Sequence, residues 1–237
     1  MQKNDGILYL VATPIGNLAD MTHRAVQILR EVDVVAAEDT RHAAILFRHY
    51  GITTPCVSYY EQNEMSRSAE LLKRLEQGTK VALITDAGTP TISDPGFRLV
   101  QQAVRSGIRI VPVPGASALL AALVAAGLPT DHFLFEGFLP RKKGRQKRLS
   151  FLSAFPHTIV LYESPFRLLA TLTDLQQHCG EERSAVVTRE LTKVFEEFRR
   201  GTLAGLISYY REHEPRGECV IVLAGSTYRG ESQSDEQ

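Results

Sequence analysis

Apolar residues fall in short dense runs along the first half of the chain. Ile7 to Val11, Val32 to Ala37, Lys80 to Ile84 and Ile108 to Val113 each read as a strand covered on both faces. Between them the apolar positions recur at helical spacing. Thr22 is a plausible cap for a helix carrying Ala25, Val26 and Leu29 on one face, and Thr40 to Tyr50 is a second helix ended by Gly51. Ser68, Leu71, Leu72 and Leu75 mark a third, and Phe97 to Ser106, closed by Gly107, a fourth. Alternation of this kind predicts βαβ units and a mostly parallel sheet.

Pro112-Val113-Pro114-Gly115 interrupts both patterns and reads as a boundary. Beyond it, helices are expected at Ala116 to Ala126, Phe166 to His178 and Thr202 to His213. Strands are expected at Phe133 to Phe138, Thr158 to Tyr162, Ser184 to Thr188 and Cys219 to Leu223. The expected architecture is two α/β domains, 1–114 and 115–226, followed by a polar tail over 227–237. The first sheet should be mostly parallel and the second mixed, with a cleft between the domains.

At 237 residues, 43% hydrophobic and 23% charged, the chain is long enough and apolar enough to fold without staples. Cys56, Cys179 and Cys219 are odd in number and widely spaced, as expected of reduced structural cysteines in a cytoplasmic protein. No apolar run approaches membrane-span length, and the first residues do not resemble a signal peptide, so no membrane partner is expected. Lysine plus arginine equals aspartate plus glutamate at 27 each, which excludes a wholesale cationic coat. Yet Arg141, Lys142, Lys143, Arg145, Lys147 and Arg148 place six cations in eight residues, on an otherwise mildly acidic chain. A flexible basic loop of this kind suits phosphate contact, or is an ordinary solvated loop.

In open α/β sheets, ligands sit at the carboxyl ends of strands. Two loops there are rich in small residues and prolines: Thr85 to Gly96, and Val113-Pro114-Gly115-Ala116-Ser117-Ala118. Small residues admit a ligand to the backbone. Asp86 and Asp94 offer carboxylates to an ammonium, and the N–H groups of a helix start suit a carboxylate, so a zwitterion fits the pair. Neither GxGxxG nor GxxxxGK[ST] occurs, which disfavours nicotinamide and nucleoside-triphosphate enzymes. With no HExxH, no GxSxG and seven scattered histidines, no metal site or serine nucleophile is expected. Glu38-Asp39-Thr40-Arg41-His42 ends the second strand and either orients a substrate hydroxyl or caps a helix. Tyr162-Glu163-Ser164-Pro165 and Arg189-Glu190-Leu191-Thr192-Lys193 end strands in the second half and divide likewise between ligand contact and local structure.

Those segments, with Leu10 to Leu18, stand in an order that resembles the ribosomal RNA ribose methyltransferases of the tetrapyrrole methylase superfamily, from about Ile7 to Ser226. The resemblance implies 2′-O-methylation of a cytidine ribose in the decoding region of 16S ribosomal RNA. S-adenosylmethionine would be the donor, the small ribosomal subunit the partner and a homodimer the working form. The family's Gly-Gly-Asp-Pro donor loop matches Ala87, Gly88, Thr89 and Pro90, with Ile92 as the following apolar contact. Thr89 stands where the aspartate lies, leaving Asp86 to take over part of its role. The same alignment puts Ser117 and Ala118 at the donor, and Ile15, Glu163 and Leu191 along the cleft. On this reading Asp39 or Glu38 takes the proton or orients the hydroxyl, and Lys193, counted with them in the catalytic set, meets phosphate. Arg41 meets phosphate together with the cations of 141–148. Such enzymes usually continue past the last strand into a small helical segment, whereas this chain stops soon after Gly225, so a truncated or short form is expected. The competing readings are a tetrapyrrole methyltransferase and a non-catalytic RNA-binding or ribosome-assembly module.

Overall fold

A strand of continuous apolar residues needs cover on both faces, and a computed structural model describing residues 6–229 shows how the first half supplies it. Among these residues the first unit contains β1 (Ile7–Val11), α1 (His23–Glu31), β2 (Val34–Ala37), α2 (Thr40–Tyr50) and β3 (Cys56–Ser58). It continues with α3 (Glu64–Glu76), β4 (Lys80–Ile84), α4 (Phe97–Arg105) and β5 (Arg109–Val113). The strands lie in the order β3-β2-β4-β1-β5, and every pairing is parallel.

Side chains alternate across this sheet and build two cores. Val11, Val35, Ala37, Ala82 and Ile84 face α1 and α2, meeting Ala25, Leu29, Leu46 and Phe47. Leu8, Val34, Ala36, Val81 and Leu83 face α3 and α4, meeting Leu71, Leu75, Leu99 and Ala103. Local chemistry sets the helix ends. Thr22 caps α1 by accepting a hydrogen bond from the Ala25 amide, and Gly51 ends α2 in a left-handed conformation. Because every strand runs the same way, all their carboxyl ends emerge on one edge.

The second unit contains α5 (Ala118–Ala126), β6 (Phe133–Phe138), α6 (Arg145–Ala154), β7 (Thr158–Glu163) and α7 (Pro165–Cys179). It ends with β8 (Ser184–Arg189), β9 (Glu197–Thr202), α8 (Leu203–Glu212) and β10 (Cys219–Leu223). The sheet order is β6-β7-β10-β8-β9, with β6 parallel to β7 and the remaining pairs antiparallel, so the sheet is mixed as expected. One face carries Ile159, Leu161, Val187, Ile221 and Leu223 against α6, α7 and α8. The other packs against α5, whose Ala122, Leu123 and Ala126 are buried. The two compact units are Met1–Ser117 and Ala118–Gln237.

Two strands and one helix escaped the hydrophobic pattern: β3, β9 and α6. The last overturns the flexible basic loop expected over 141–148, because the segment is helical from Arg145 onward. Of the expected tail, only 227–229 fall within the described residues, and the first five residues of the chain lie outside them. Among the described residues, no helix is long and apolar enough to cross a membrane.

Candidate functional site

The carboxyl edge of the first sheet is knitted together by its own loops. The strand leaving β1 and the loop after β4 form an isolated antiparallel bridge. The Thr13 amide donates to the Gly88 carbonyl at 2.9 Å, and the Gly88 amide donates to the Thr13 carbonyl at 3.0 Å. The buried Thr13 hydroxyl donates to the Thr85 carbonyl at 3.1 Å, and the Thr89 hydroxyl reaches the Ala116 carbonyl at 3.3 Å. Asp86 accepts the Asp39 amide at 3.0 Å, which ties β2's exit to β4's.

Glycine is required at two points of this weave. Gly88 has φ of +85°, where a side chain is strained. A Cβ on Gly115 would lie 2.9 Å from the Ala12 Cβ, so the β1 and β5 exits approach closely only because that atom is missing. Thr91 and Ser93 also hold positive φ, at 73° and 65°. Such strain away from glycine persists where surrounding structure over-determines it, and it concentrates at functional sites. Ile15, Glu38, Asp39, Asp86 to Ile92 and Ser117 thus converge on one sheet edge. Thr13 and Thr85, which hold the loops, were not singled out in the sequence. Nor was Glu64, whose carboxylate accepts the Gly96 amide at 3.0 Å and anchors the far end of the β4 loop. Their types are ordinary, and only the fold shows their reach.

The two adjacent carboxylates after β2 differ sharply. Asp39 caps α2, accepting the Arg41 amide at 2.8 Å, and it pairs with the exposed Arg41 guanidinium at 2.6 Å. That side-chain hydrogen bond, more than any other cause, holds its carboxyl well below the usual range. Glu38 moves the other way. Burial raises its pKa above the ordinary 4.5, and the neighbouring Asp86 charge raises it further.

The remaining expected site residues lie in the second unit. Ala118 opens α5, Glu163 ends β7, and Leu191 and Lys193 follow β8. Glu163 is 2% exposed. One of its oxygens accepts the Ser164 amide at 2.9 Å, and the other accepts the Thr171 hydroxyl at 2.7 Å. Its carboxylate therefore serves the start of α7 and is turned away from any open surface. Lys193 pairs with Glu190 at 2.9 Å.

The six cations of 141–148 divide into two kinds. Arg145 is 9% exposed. It donates to Asp174 at 2.7 Å, to the Thr171 hydroxyl at 2.9 Å and to the Pro140 carbonyl at 3.1 Å. Arg148 holds both oxygens of Glu136. Arg145 is a structural cation, which corrects its assignment as a phosphate contact, whereas the Arg148 side chain stays 39% exposed beside Glu136. Arg141, Lys142, Lys143 and Lys147 are exposed, and they enter no ion pair found among the described residues.

A parallel sheet with a knitted, glycine-dependent carboxyl edge, followed by a mixed sheet, defines a class. Residues 7–207 match the family described as Tetrapyrrole (Corrin/Porphyrin) Methylases. The same fold is seen in a uroporphyrin-III C-methyltransferase from Thermus thermophilus, solved with S-adenyl homocysteine. It is 20% identical, with a TM-score of 0.66 over 93% of this chain and 98% of that one. Closer in sequence is a Synechocystis protein named ribosomal RNA small subunit methyltransferase I, 56% identical over 94% of this chain and 80% of its own length. A Pseudomonas aeruginosa protein of the same name is 54% identical over 93% and 79%. The chain belongs to the tetrapyrrole methylase family, in the branch of the ribosomal RNA small subunit methyltransferase I proteins.

Proposed function

We propose that this chain transfers the methyl group of S-adenosylmethionine to the ribose 2′-hydroxyl of a cytidine in 16S ribosomal RNA. The observation that carries the reading is the identity of 54–56% to relatives bearing one name, over more than nine-tenths of the chain. The tetrapyrrole reading of the same fold rests on structures about 20% identical, which speak for fold alone. A cytoplasmic homodimer acting on the small ribosomal subunit belongs to the same proposal.

The sheet edge suits a zwitterionic donor on the chemistry of its own groups. The Gly88 and Gly115 backbone is bare, Asp86 keeps one carboxylate oxygen beyond its bond to Asp39, and Ile15 is an apolar wall beside Gly88. Ile15, Asp86, Ala87, Gly88, Thr89, Ile92 and Ser117 are the residues of this edge that would hold the donor. When bound, it supplies a methyl activated by an adjacent sulfonium. The protein's share is then to bring the attacking oxygen to within about 3–3.5 Å in line, and to take its proton.

A ribose hydroxyl is a weak nucleophile near neutral pH, so the better base is the carboxylate whose pKa lies nearer the working pH. Glu38 meets that demand, whereas Arg41 makes Asp39 a stronger acid and a poorer base. Glu38 thus accepts the proton, and Asp39 fixes the start of α2 and presents Arg41. The exposed Arg141, Lys142, Lys143 and Lys147 meet phosphate.

The deciding experiment incubates the protein and labelled donor with 16S RNA, free or in the small subunit, and maps the product by mass spectrometry. One cytidine carrying a ribose methyl is the expected product. Methyl on a base, or transfer only to a porphyrinoid, would overturn the proposal.

A further inference from the structure

One end of the second sheet carries its most exposed ring side chains and three cations, Arg141, Lys142 and Lys143, that enter no ion pair found among the described residues. Phe138 is paired in register with Tyr162, Glu163 with Cys219, and Cys219 with Arg189. The exits of β6, β7 and β8 therefore lie side by side, spanning three strand spacings, or about 15 Å. Arg167 at the start of α7 donates to the Leu139 carbonyl at 3.1 Å, which draws the β6 exit against the β7 exit.

Three apolar side chains project from this end with almost no protein around them. Phe166 is 93% exposed, Val194 92% and Phe195 72%. Val194 and Phe195 are chain neighbours, and Phe166 opens the helix that leaves the β7 exit, so large water-facing side chains share one end of the sheet, as at an interaction surface. The turn that carries Val194 and Phe195 is held in shape. The Thr192 amide donates to Glu196 at 2.7 Å, the Lys193 amide to the Glu190 carbonyl at 3.0 Å and the Glu196 amide to the Lys193 carbonyl at 3.2 Å. Glu190 and Thr192 both sit at positive φ, 51° and 66°. Neither residue type favours that conformation, so the tip is built to a definite form and is not a slack loop. Beside the rings, Arg141, Lys142 and Lys143 fill the β6 exit, between Leu139, bound by Arg167, and Arg145, whose guanidinium holds the Pro140 carbonyl.

We infer that this end of the second sheet is a stacking platform for unpaired RNA bases, with Phe166 and Phe195 as the stacking rings and Arg141, Lys142 and Lys143 along the backbone. The inference rests on RNA being the substrate, and it adds which surface receives it and in what form. Rings at the end of a sheet with cations alongside match single strands, whose bases are free to splay, and not a duplex, whose bases are already stacked. A span of about 15 Å takes two or three bases. A second copy of the chain is the weaker occupant, since a two-fold contact would set this cationic loop against its own copy.

The test uses the full chain, a single-stranded oligoribonucleotide and the fully paired duplex of the same sequence, with affinity read by fluorescence anisotropy over a series of salt concentrations. Phe166→Ala and Phe195→Ala should each weaken single-strand binding about tenfold, with the salt slope and duplex affinity unchanged. Phe195→Trp should restore it. Undiminished single-strand affinity in the double alanine variant overturns the inference, as does an equal loss on duplex. A double variant that turns a dimer into monomers in sedimentation velocity also overturns it, in favour of a second copy on this face. Wild-type protein that methylates 16S RNA while the alanine variants bind normally sinks the platform alone. Wild-type protein that transfers no methyl to RNA sinks the substrate reading itself.

Discussion

Replacing Arg145 with methionine separates the two kinds of cation in the basic segment. The side chain keeps much of its length but loses its charge and donors. Three hydrogen bonds disappear: one to the Asp174 carboxylate, one to the Thr171 hydroxyl and one to the Pro140 carbonyl. A bond to a charged group contributes about 1.5–3 kcal/mol and a neutral one about 0.5–1.5 kcal/mol. Removing one partner of a buried ion pair costs about 3–5 kcal/mol. Asp174 is 28% exposed, so water recovers part of its loss, and about 3 kcal/mol remains. For a unit of this size that is roughly a 10–15 °C fall in the melting temperature of the second unit. Calorimetry checks it, with Lys142→Ala and Lys143→Ala as controls. Both controls are exposed, and each should stay within about 0.5 kcal/mol of wild type. RNA titrations should show the reverse, with the salt slope lowered by about one for each lysine and unchanged for Arg145→Met. An Arg145→Met protein that melts like wild type, with a shallower salt slope, would refute the assignment of Arg145 to the core.

Glu38→Gln should lower turnover about 10²–10⁴-fold with donor affinity intact, and it should remove the acid limb of the pH–rate profile. Because the folded pKa of Glu38 is raised, its native form holds the proton more tightly. The stability this lends is lost as pH climbs from the ordinary 4.5 through the raised value, so the glutamine variant should resist urea better than wild type at pH 8 but not at pH 4. Gly115→Ala drives a Cβ to 2.9 Å from Ala12. Stability should fall by about 1–3 kcal/mol and donor affinity should fall with it, both readable by calorimetry. Burial pushes the Cys219 thiol up to about 12, so iodoacetamide at pH 7.5 should leave it unmodified until the protein is unfolded.

Most of the first unit was legible because its central strands β2 and β4 are almost wholly buried and several helices end in recognisable chemistry, such as Thr22 before α1 and Gly51 after α2. The parts that escaped share a cause. β3 is three residues on a sheet edge, too short to show a period. β9, Glu197 to Thr202, is a polar edge strand whose Arg199 and Arg200 lie over Tyr209 and Phe198. It pairs with β8 in regular antiparallel register, yet its own residues offer no apolar alternation to reveal it. In α6 the buried face is Arg145, Leu149 and Leu152, a regular helical spacing whose first position is a cation. A pattern that counts only apolar residues finds two of the three and assigns the first to solvent.

The same blindness governed the site. Residue type pointed to the carboxylates after β2 but did not rank them. Their ranking depends on where their neighbours come from. Arg41 lies two residues beyond Asp39 and is local, whereas Asp86 lies 47 residues beyond Asp39 and reaches this place only because β2 and β4 are sheet neighbours. Glu163 shows the converse. It ends a strand at the expected edge, but Arg167 and Thr171 lie on α7, four and eight residues further along the chain, and draw its carboxylate inward. Position along a strand therefore places a residue at an edge, while its partners decide whether it faces a ligand. A base assigned on partners makes a sharper claim than one assigned on position. If Asp39→Asn removed the acid limb while Glu38→Gln left it in place, pairing with Arg41 would have to activate a carboxylate that it should instead weaken as a base.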